Sequence, residues 1–153
     1  MANELTLPRA RNALSEAMLA NRDLLLPMLR RGENLEWVTG ALGDLGKSEA
    51  LEDLIGLLDN PRPDLRFLSI AAVWAIVDQN KDRKVRRDWD WMHASLRNAT
   101  HDAFPPVAVF AALILAELGQ KLDPKILQRL FNIDATGADF ESRESFYLSK
   151  QLN

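Results

Sequence analysis

Apolar residues recur along the chain at i, i+3, i+4 and i+7, the spacing that gathers side chains on one side of an α-helix. Leu51, Leu54, Ile55 and Leu58 form such a face. It ends at Asp59-Asn60-Pro61-Arg62-Pro63, where prolines remove amide donors and forbid continuation. The pattern resumes in Leu65, Leu68, Ala72, Val73 and Ile76, with Asp64 as the expected N-cap. Two helices joined by a proline-containing turn make an antiparallel hairpin, and Leu58, Leu65, Ala72, Val73 and Ile76 are its predicted core. Strict alternation is not sustained anywhere and β-branched residues are scattered through Ala- and Leu-rich segments, so strands are not predicted.

The hairpin is repeated. Val38–Gly46, Ser69–Val77 and Ala111–Gly119 align so that Leu42, Val73 and Leu115 coincide, as do Leu45, Ile76 and Leu118. Small residues beside these positions, Ala41 and Ala72, let neighbouring helices approach closely. Each closing helix follows another apolar helix, over about Asp23–Arg30, Glu49–Asp59 and Asp88–Asn98. The longer offset before the last unit reflects an inserted Lys81–Arg87 linker and a longer turn at Asn98–Pro106. Residues 7–20 read as an amphipathic capping helix starting near Pro8. Asp123-Pro124 opens a helix through Phe131, and a further one is expected from about Phe140. The organisation predicted is one all-α domain over 1–153, with a cap at 1–21, three hairpins at 22–119, and a half-repeat with a capping segment at 120–153.

Within the middle unit, the ending Leu42-Gly43-Asp44-Leu45-Gly46, the proline turn, the Leu65-Arg66 pair and the small-residue helix after it are specific features. Ala41–Val77 resembles the bacterial HEAT-like repeat, the variety also found in phycobilisome lyases, which favours Val-Arg where this chain has Leu65-Arg66. The third unit keeps Val107 and the Ala111–Gly119 ending but has Ala108 in the arginine position; the first has Asn34-Leu35 there. The resemblance covers about residues 22–119. It implies a short α-solenoid of stacked antiparallel hairpins, a right-handed superhelical array whose inner wall, lined by the second helix of each pair, binds other proteins. It also implies an alternative role, lyase-like or chaperone-like, in tetrapyrrole (bilin) attachment. Arg66 is expected to pair with an acidic or carbonyl group nearby, Asp59 and Asp64 being the nearest carboxylates.

Composition narrows the function classes. A chain of 153 residues, 47% apolar and 27% charged, suits one domain with one core. Cysteine is absent, which removes disulfides, thiolate metal sites, iron–sulfur clusters and cysteine nucleophiles. His93 and His101 are not at the i, i+4 spacing of a helical metal face and read as surface or turn residues. The serines lack a nucleophile elbow, and the glycines form neither a P-loop nor a dinucleotide fingerprint. No catalytic, cofactor-binding or metal-ligating residue is assigned, and a non-enzymatic protein is expected. No apolar run approaches the roughly 20 residues of a membrane span, and MANELTLPRARN lacks the basic start and apolar stretch of a signal peptide, so a cytoplasmic protein is expected.

Charge points to a partner. The basic run Lys81, Arg83, Lys84, Arg86 and Arg87 precedes Trp89 and Trp91, a combination that can grip phosphates and stack bases. Asp82, Asp88 and Asp90 dilute it, so a solvated linker remains the competing reading, and the net charge of −3 argues against a nucleic-acid binder. Residues 33–64 are strongly acidic instead. Such a dipolar surface favours a protein partner, with self-association as a homodimer left open.

On the second helices the repeat register turns Glu36, Gly40 and Gly43, then Phe67, Ala71 and Trp74, then Val109, Leu113 and Ala116 away from the preceding helix. Trp74 is the notable member, since Gly43 and Ala116 occupy the equivalent positions. Exposed aromatics concentrate binding energy. The candidate protein-binding residues are Glu36, Phe67, Ala71, Trp74, Val109, Phe110 and Leu113. The competing expectation is that a C-terminal segment with Phe140, Phe146 and Tyr147 folds over this face.

Overall fold

A computed structural model describes residues 16–17, 22–80 and 89–135, and among these no strand occurs. The helices are α1 (Arg22–Arg31), α2 (Leu35–Leu45), α3 (Leu51–Gly56), α4 (Pro63–Gln79), α5 (His93–Ala99), α6 (Pro105–Glu117) and α7 (Pro124–Ala135). Turns of 3-10 helix at Ser48–Ala50 and Leu57–Asp59 bracket α3, and another at residues 89–92 precedes α5. Apart from residues 16–17, which are helical, the predicted 7–20 cap lies outside the described residues, as does the segment from Phe140. None of the described helices is long and apolar enough to cross a membrane.

Local chemistry sets the helix ends. The expected N-cap of α4 was Asp64, but the helix begins one residue earlier, at Pro63, with Arg62 in an extended conformation as its cap. Proline is preset for the first helical position, and it forces the residue before it out of the α region. Asp64 instead lies in the first turn, where a carboxylate faces the positive end of the helix dipole. α6 starts in the same way, from Phe104 into Pro105 and Pro106. At the other end of α2, Gly46 takes φ 65°, and its amide and that of Lys47 close back on the carbonyls of Gly43 and Leu42.

α2 and α4 run parallel and very close. Glu36 meets Arg62 at their N-terminal ends, and Gly43, in the last turn of α2, abuts Ala72 and accepts from the Gln79 side-chain amide at 2.8 Å. The other flank of α4 lies against α6, again with the N-terminal ends together, through Phe67, Phe104 and Phe110. α1, α3 and α5 each pack on the helix that follows them, and α7 packs on α6. One core joins Leu25 of α1, Val38 and Leu42 of α2, Leu54 of α3, Ile70, Val73 and Ile76 of α4, Leu96 of α5, and Val107 and Ile114 of α6. Leu65, Ala72, Val73 and Ile76 are buried as the periodicity predicts, while Leu58 is half-buried.

Candidate functional site

α4 lies between two parallel neighbours, α2 and α6, and buries Leu65, Ser69, Ile70, Ala72, Val73, Ile76 and Val77. Its partly open side holds Phe67, Ala71, Trp74 and Asp78 at i, i+4, i+7 and i+11, with Leu68, Ala75 and Gln79 in a second row beside them. On α2 the exposed sector is Glu36, Trp37, Gly40 and Asp44. A side chain added at Gly40 would meet no atom within 4 Å, so this sector opens to solvent. On α6, Phe110 is half-buried and turns its ring edge to Phe67, with centroids 5.8 Å apart; Phe104 sits 6.3 Å from Phe67 in the same edge-on manner. These three rings tie α4 to α6 and leave part of their surface outside.

Of the residues expected on this face, Glu36, Phe67, Ala71, Trp74 and Phe110 retain exposed area. Val109 and Leu113 do not. They are 0% and 4% exposed, in a second cluster with Leu127 and Leu130 of α7, and Trp74 packs against that cluster from the α4 side. The physical reason lies in α6 itself. From Val107 to Leu115 it carries no polar residue, and a helix apolar all round must be covered on every side. Gly43 is likewise inside, where an added Cβ would lie 2.9 Å from the Ala72 Cα.

Ion pairs fix the rim at the N-terminal ends. The Arg62 guanidinium bridges Asp64 and Glu36, the latter at 3.1 Å. Asp64 first and Glu36 second raise its pKa, while Arg62 holds the Asp64 carboxyl below the ordinary range. Arg66 does not use Asp59 or Asp64. It donates to the Asn60 and Pro61 carbonyls of its own turn, as the carbonyl part of the expectation requires, but its carboxylate is Asp102, bound by both Nε and Nη2 at 2.9 and 3.0 Å. Asp102 Oδ1 also accepts from the Phe104 amide at 2.8 Å, so one carboxylate joins α4 to the start of α6. The fork geometry and the side-chain exposures of 16% and 11% make this a structural tie.

No family model, curated protein or solved structure matches the chain. The chemistry of the face therefore rests on its own residues.

Trp37 escaped the sequence reading. Its indole is 42% exposed and lines a depression of about 350 Å³ with Gly32, Asn34, Leu35, Glu36, Arg62 and Leu65. The signal was its place beside Glu36 and three residues before Gly40, on the polar side of α2. The basic run Lys81, Arg83, Lys84, Arg86 and Arg87 lies outside the described residues. Of the tryptophans after it, Trp91 is 48% exposed, but Trp89 is buried in the core and is no stacking platform. His93 lies 3.8 Å from Asp90, and His101 is exposed in the turn before α6.

Proposed function

We propose that the helical pairs are HEAT-like repeats stacked as a short α-solenoid, and that the protein acts non-enzymatically in the cytoplasm as an adaptor, inhibitor or assembly factor. The partner protein binds across the open faces of α2 and α4, with Phe67, Ala71, Trp74 and Phe110 as the apolar centre and Glu36 and Trp37 at the rim. The observation that supports this reading is the α4 stripe itself. Its aromatic side chains keep exposed area, and two small residues, Ala71 on α4 and Gly40 on the exposed sector of α2, leave room for an incoming chain.

Gly40→Arg tests it without touching the core. The substitution fills open space, so the melting temperature holds or rises, and a long cationic side chain then lies across the face. A protein retained from the native host by the wild-type chain and lost by Gly40→Arg fits the proposal. Equal retention by both refutes it.

A further inference from the structure

We draw no further inference here: the strongest candidate, the partly exposed aromatic patch of Phe67, Trp74 and Phe110 where α4 meets α6, belongs to the face already described, and nothing in the structure shows what covers it.

Discussion

Gly43 and Gly40 stand three residues apart on one helix, and the same substitution at each should act in opposite directions. At Gly40 a new methyl group meets nothing within 4 Å. Alanine there removes the conformational cost of glycine in a helix and should stabilise the fold by up to about 1 kcal/mol. At Gly43 the same propensity gain applies, but the methyl would lie 2.9 Å from Ala72 Cα, 3.1 Å from its Cβ and 3.5 Å from its carbonyl oxygen. Two of these are backbone atoms, so no rotamer change relieves the clash, and α2 and α4 must separate by some tenths of an ångström along their contact. Overpacking of this kind costs roughly 1–3 kcal/mol. Because the propensity gain cancels between the two variants, Gly43→Ala should be less stable than Gly40→Ala by about that amount. For a domain of this length each kcal/mol corresponds to roughly 2–4 °C in Tm. Urea unfolding followed by circular dichroism at the helical band measures both variants on one scale. If they prove equally stable, α2 and α4 are not in the close contact that places their open sides next to each other.

Removing either partner of the Arg66–Asp102 fork should cost roughly 1.5–3 kcal/mol, the range for hydrogen bonds to charged groups, and Arg66→Lys should recover only part because ammonium lacks the planar fork. A double-mutant cycle with near-zero coupling would refute the tie. Trp74 is half-buried against the α6–α7 cluster, so Trp74→Ala should lose about half of the roughly 3–5 kcal/mol of a full core truncation as well as partner capture. Unchanged stability would place the indole outside that cluster. Hydrogen bonds from Arg31 and Arg62 hold the Glu33 and Asp64 carboxyls below their ordinary pKa in the folded chain. Their stabilisation is therefore complete above the unfolded carboxylate pKa of about 4 and is lost as pH falls through the folded values. Both pairs are exposed, so the effect is small and vanishes in high salt. Asp64→Asn should lose less melting temperature between about pH 6 and about pH 3 than the wild type does, and an identical loss would contradict the assignment.

What the sequence determined by itself was local and periodic. The i, i+3, i+4 spacing of Leu65, Ala72, Val73 and Ile76 determines a helix face, because side-chain direction repeats with the helical turn whatever surrounds it. Proline turns and glycine endings determine where helices stop, because they act on the backbone dihedrals of single residues. The same register put Phe67, Ala71 and Trp74 on one side of α4, and all three retain exposed area in the folded chain, but so does Leu68, which shares the apolar pattern of the buried positions. The tertiary structure alone decided which sides of α6 are covered. Val109 and Leu113 were expected on an open stripe, yet they cluster with Leu127 and Leu130 of α7, a helix whose approach the register of α6 does not report. It also decided the partner of Arg66. Asp59 and Asp64 are nearer along the chain, but the carboxylate the guanidinium reaches is Asp102, brought to it by the parallel approach of α4 and α6. Periodicity reports the direction of a side chain on its own helix, whereas exposure and pairing depend on what other helices bring to that side.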